Sequence, residues 1–210
     1  MTADELDSAV QAGVAIFNAG GHHEAHDAWE ERWLTLDRGI DDERFLHGLI
    51  QYTAAVYHAT RGNDAGAVGL GRRARGYLAG FPATYRRVAI RPLHHRLAAI
   101  SVDPGIVGRR GVAPIQYEGQ PIGVTDLDWP AIAIAARVLA DAMDQWDERT
   151  LQSACERAGS DDRFRSLVRD FVVERKHRQL IYDRLVAHLD RERAIDDDVA
   201  ELFDDRSGDQ

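Results

Sequence analysis

Residues 20–33 read GGHHEAHDAWEERW. Two glycines stop whatever precedes them, and no proline or further glycine interrupts the chain before Gly39. An uninterrupted run of good helix formers at this length predicts an α-helix from about His22 to Leu36. A helix advances about 100° per residue, so its faces follow from the numbering. With His22 at zero, His26 falls at about 40°, Trp33 at about 20°, Trp29 at about −20° and Glu30 at about 80°, whereas Glu24, Asp27 and Glu31 fall between about 140° and 200°. Three acids therefore point where solvent is expected, and Glu30 shares a side with two indoles and two imidazoles. A carboxylate turned inward among indoles is costly unless it meets a donor or a metal. His22, Trp29 and Trp33 are expected to line such a site.

The segments around this helix repeat its pattern. Thr2 and Glu5 have the spacing of a capping box. Leu6, Val10, Val14 and Phe17 then mark one face of a first helix that stops near Gly20 and Gly21. Asp41, Asp42 and Glu43 place acids at the start of a third helix, which runs to about Thr60 and ends at Gly62 and Asn63. Asp64 can cap a fourth, which Gly80 and Pro82 stop after Ala79. Such short connections predict antiparallel neighbours in a small bundle. Residues 81–128 are less regular: a short helix begins near Pro92, and IQYEGQPIGV (115–124) is a small hairpin or a loop. Asp128 ahead of Trp129 and Pro130 starts a helix reaching about Met143, and 150–158 suits another. From Asp161 to about Arg193 the spacing of Phe164, Leu167, Val168, Phe171, Val172, Ile181, Leu185 and Leu189 predicts a long helix. The expected class is all-α: a compact helical bundle with a helical C-terminal extension. It divides into a core domain over 1–100, a loop or hairpin linker over 101–127, and an extension over 128–210 that packs on the core.

The composition narrows the function classes. The 210 residues carry a net charge of −9 with one cysteine, Cys155, which can form no disulfide within the chain and no thiolate cage. No apolar run approaches a membrane span, and acids stand where a secretory signal would carry positive charge, so a cytoplasmic protein with no membrane partner is expected. Lys176 is the only lysine, and aspartate outnumbers glutamate 24 to 11. Short acids and few lysine stems give a heavily hydrated surface, the composition of a salt-adapted, halophilic protein. No nucleotide-cofactor motif and no nucleophile–base arrangement is legible.

The third helix supplies possible partners for Glu30. With Phe45 at zero, Leu46, Leu49, Ile50, Val56 and Tyr57 occupy an arc of about 140°, while His47, Gln51 and His58 fall together between about 200° and 240°. Ala54 lies beside that row, with Gly48 and Ala55 just beyond it. Small residues permit close helix approach, so the row reads as a seam between helices. If it faces the second helix, His26 and Glu30 meet His58, Gln51 and His47, a donor set suited to a divalent zinc, iron, manganese or nickel ion. The alternative is a buried His–Glu hydrogen bond that keeps two helices in register. His23-Glu24-Ala25-His26 is no zincin motif, because its histidines are three apart rather than four.

His26, Glu30 and Trp33 form H-x-x-x-E-x-x-W, preceded by Phe17, Asn18 and Gly20 as F-N-x-G. Gly48-Leu49-Ile50-Gln51 with His58 follows. In this order the motifs resemble the domain of unknown function family 309 over about residues 13–80. The resemblance implies a compact all-helical domain and a metal-binding role for the histidine and glutamate. It carries no assigned activity.

A second expectation rests on charge. Ala65 to Val102 holds no acid but seven arginines, among them Arg72, Arg73, Arg75, Arg86 and Arg87. Arginine forks suit phosphates, so this segment is an alternative anion- or nucleic-acid-binding surface. Net negative charge makes nucleic acid the less favoured partner, and the acidic tail from Asp196 to Asp209 could instead mask these arginines. The long C-terminal helix could also pair copies of the chain into a homo-oligomer.

Overall fold

The computed structural model describes residues 3–143 and 145–204, with side chains over 5–143 and 145–195. Thr2 and the side chains of the acidic tail lie outside the described residues. Four helices build the first half of the chain: α1 (Ala3–Asn18), α2 (His22–Trp33), α3 (Asp41–Thr60) and α4 (Asp64–Tyr77). Consecutive members pack on one another, α1 on α2, α2 on α3 and α3 on α4. The cap of α4 is Asn63 rather than the expected Asp64, which is the first helical residue: the Asn63 side chain accepts from the Gly66 amide at 3.0 Å.

Two short hairpins and two helices follow. β1 (Thr84–Tyr85) pairs with β2 (Val88–Ala89), then come α5 (Ile90–Val102), α6 (Ile106–Arg110), β3 (Gln116–Tyr117) and β4 (Gln120–Pro121). Val88 faces Tyr117 across β2 and β3, which joins the hairpins into one antiparallel sheet in the order β1-β2-β3-β4. The stretch left open as hairpin or loop is thus a hairpin, turning at Glu118 and Gly119 with positive φ. The first hairpin was not expected: its turn is Arg86-Arg87 at φ 44° and 64°, where Asn-Gly is the usual signal.

Asn18 fastens the sheet to the bundle. Its amide donates to the Ile115 and Ile122 carbonyls at 3.0 and 2.9 Å, and its Oδ1 accepts from the Ile115 amide at 2.7 Å. Gly20, with φ 91°, supplies the left-handed residue that lets the chain reverse into α2. The F-N-x-G motif is therefore a corner that locks α1 to a hairpin nearly a hundred residues away.

The remaining helices are α7 (Trp129–Asp141), α8 (Glu148–Arg157), α9 (Asp162–Val173) and α10 (Arg178–Asp204). α7 packs against α1 and α2, so one hydrophobic core runs through both halves of the chain. The single long helix expected over 161–193 is two helices separated by a 3-10 turn at Arg175–His177. The six residues from Glu174 to Gln179 are all polar, so no apolar stripe pulls this stretch onto the core. Arg178 stabilises the break, donating to the Phe171 and Val172 carbonyls at 2.9 and 3.1 Å and so capping α9. No helix among the described residues is long and apolar enough to cross a membrane.

Candidate functional site

The buried face of α2 is made by Ala25, Ala28 and Trp29. On the angular scale used above these lie between about −120° and −20°, so the core-facing arc is rotated away from Glu30. Alanine is decisive here, because a methyl side chain admits a neighbouring helix that a larger residue would hold off. Trp29 is fully buried and packs on α1 at Gly13, where an added Cβ would come within 2.2 Å of its indole nitrogen. His22 also turns to α1, with its ring 4.8 Å from that of Phe17. Burial lowers its pKa, the charge of Glu24 opposing.

Glu30 is therefore not an inward carboxylate: its side chain is 43% exposed, and its Oε2 lies 3.5 Å from His26 Nε2. The acid that does lie among aromatic rings is Glu43, at the start of α3. Its Oε1 accepts from the Trp33 indole at 2.8 Å, its Oε2 accepts from the Gly39 amide at 3.2 Å, and His47 Nδ1 lies 3.6 Å away. Burial alone would raise the Glu43 pKa. The hydrogen bonds from Trp33 and Gly39 and the nearby His47 outweigh it and hold the carboxyl below its ordinary value.

The His/Gln row of α3 does form a helix seam with small residues, but it faces chiefly α4, with His47 lying between Tyr77 of α4 and Trp33 at the end of α2. His47 stacks on Tyr77 with ring centroids 3.9 Å apart, and its other neighbour is Trp33 at 4.7 Å. Gln51 accepts from Arg73 Nε at 3.2 Å. His58 Nδ1 accepts from the Asn63 amide at 2.8 Å. Gly48 completes the seam, since a Cβ there would stand 2.6 Å from the Leu78 side chain. The three donors expected to complete a site with His26 and Glu30 are thus engaged elsewhere.

What remains on α2 is an outer ridge. His26, Asp27 and Glu30 present one ligand atom each, all within 4.8 Å of one another. His23 extends the group, its Nδ1 being 3.0 Å from Asp27 Oδ2. These four residues occur at i, i+3, i+4 and i+7, the spacing that stacks side chains along one helix face. By angle alone Asp27 lies about 100° from His26, and His23 is not among the residues expected at the site. Side-chain reach closes the difference, because long side chains at neighbouring positions lean toward a common point. Imidazole nitrogens and carboxylate oxygens without thiolate are the donor set of first-row divalent ions, so the chemistry of the ridge fits the expected metal. Behind the ridge, Glu31 stays exposed, as expected, while reaching Arg137 of α7 at 3.4 Å.

The arginines expected to form an anion surface divide into two groups. Arg86 grips Asp42 with both Nε and Nη2 at 2.9 and 2.6 Å and reaches Asp7 at 3.0 Å, while Tyr85 donates to Asp42 at 2.7 Å. Hydrogen bonding to Asp42 raises the Arg86 pKa, and burial with the Asp42 contact pushes the Tyr85 phenol up to about 12. Arg87 pairs with Glu118 at 3.1 Å. These two arginines build the first hairpin and are not free for a ligand. On α4, Arg73 holds Gln51, and Arg72 and Arg75 are exposed.

A comparison with curated proteins finds no match. Residues 10–70, from within α1 to the middle of α4, match the family model described as Domain of unknown function (DUF309). This segment, which carries the Asn18 corner, the His26–Glu30 ridge and the α3 seam, is similar to the DUF309 family.

Proposed function

We propose that this protein binds a divalent first-row metal ion on the outer ridge of α2, with His26, Asp27 and Glu30 as ligands and His23 as the adjoining donor. The observation that supports the reading is the convergence of the three ligand atoms within 4.8 Å on a single rigid helix. A helix fixes the bite of donors one turn apart, so little ordering is required when a cation arrives. The side chains are partly exposed, which leaves coordination positions open to water or to a ligand's oxygen. A metal held this way would supply Lewis acidity or a bound water of lowered pKa. The chain's own part is to orient the donors: His26 and His23 must present neutral nitrogens, and Asp27 and Glu30 hold them by the contacts already described. His47, Gln51 and His58 have no part in this site.

The test is titration of the metal-stripped, tag-free protein with zinc and with manganese, followed by metal analysis after desalting. One bound equivalent that disappears in His26→Ala and in Glu30→Gln supports the assignment. Retention of metal by both variants, or no bound metal in the unmodified chain, refutes it.

A further inference from the structure

A cavity of about 270 Å³ opens between α3, α5, α6 and the strand-leading segment after α6. Its walls are Val56, Ala99, Ile100, Ile106, Val107 and Val112, and Tyr52 forms part of the lining from the core side. Three basic side chains join this apolar wall: Arg96, Arg110 and His95. No carboxylate among the described residues lines it. That is unusual in a chain of net charge −9. Between Ala65 and Tyr117 the only acid is Asp103, and it is paired with Arg109. Arg96 reaches across the cavity to the Ala113 carbonyl at 3.2 Å, and it lies against Tyr52, opposing the rise that burial imposes on that phenol. Arg110 is exposed at the rim, with no ion-pair partner among the described residues.

The geometry points to a binding site for a small amphipathic monocarboxylate, its hydrocarbon body against Val56, Ile100, Ile106 and Val107 and its carboxylate between Arg96 and Arg110. Size and lining both favour this class. The volume lies just under the roughly 300–1,000 Å³ common for small-molecule sites, which suits a short acyl or aryl acid and leaves no room for a nucleotide. The apolar wall gives a free inorganic anion nothing to bury, whereas an alkyl chain gains by leaving water. The guanidiniums supply charge-assisted hydrogen bonds to the head group. The site is separate from the α2 ridge and does not depend on a metal there.

The experiment uses the full chain in the presence of EDTA, with binding followed by calorimetry and by amide chemical shifts. Octanoate is expected to bind saturably and to shift the amides of α5 and α6. Octanol, acetate and inorganic phosphate are expected to bind at least about tenfold more weakly, each lacking one half of the recognition. Ala99→Phe, which fills the cavity, should abolish octanoate binding. Arg110→Gln, a rim substitution with no core contact to lose, should weaken it about tenfold while leaving Tm unchanged. The proposal is overturned if octanoate does not saturate, if octanol or phosphate binds as tightly, or if Arg110→Gln binds octanoate like the parent.

Discussion

Glu30 and Glu43 are the same residue type, each paired with a histidine four positions away, and both stand near Trp33 in sequence. His26 and Glu30 are 3.5 Å apart with side chains 28% and 43% exposed, while Glu43 and His47 are 3.6 Å apart at 11% and 19% exposed. The first pair has little else to bond. The second is saturated by an indole, a backbone amide and a ring stack. The difference teaches that a His–Glu pair is available to a ligand only where water has been left access to it. Where it is dry, every acceptor must already be satisfied, and the pair becomes part of the frame.

The comparison can be broken most directly by truncating each glutamate in turn. Glu43→Ala leaves the Trp33 and Gly39 donors without an acceptor and is expected to cost about 2–4 kcal/mol in chemical denaturation. Glu30→Ala should stay within about 0.5 kcal/mol of the parent, as an exposed pair does. Equal losses would mean that the two carboxylates are not separated in the way described. Metal affinity should show the reverse order: Glu30→Gln is expected to weaken zinc binding at least tenfold, about 1.4 kcal/mol, and Glu43→Gln to leave it unchanged in the same titration. A smaller effect should follow Tyr77→Leu, which removes one face of the His47 stack and is expected to lower stability by about 0.5–1.5 kcal/mol without touching metal binding.

The most modest signature is in pH. The Glu43 carboxyl has a lower pKa folded than unfolded, so its contribution is complete above its ordinary value of 4.5 and is lost as pH falls through the folded value. Asp42, depressed by the Arg86 and Tyr85 hydrogen bonds against the burial that would raise it, contributes with the same sign. Unfolding free energy measured from pH 6 down to 3 should decline below about 4.5 in the parent and in Glu30→Gln. It should decline less steeply in Glu43→Gln; an identical slope in that variant would remove Glu43 from the acid-sensitive set.

Much of the bundle was legible in the residues. The starts of α3 and α4 and the stop at Gly20 fell within a residue of the acids and glycines that signal them, since such signals act within a turn or two of chain. The break at residues 174–178 was less so: the apolar positions on either side mimic one helix, and the interruption appears only as six consecutive polar residues sealed by Arg178. The Arg86-Arg87 turn gave no local signal. Its positive φ values are unfavourable for arginine, and they coexist here with ion pairs to Asp42 and Asp7, far off in sequence.

The candidate site divides in the same way. Periodicity alone determined that α2 carries His26 and Glu30 on adjoining faces, and that the α3 row is a seam flanked by small residues. Only the tertiary arrangement decided which helix lies across that seam, and that Glu43 rather than Glu30 takes the indole. The reason is physical. Side-chain spacing fixes angles within a helix, but the rotation of the helix about its own axis is set by its neighbours, through contacts such as Trp29 on Gly13 and Leu78 on Gly48.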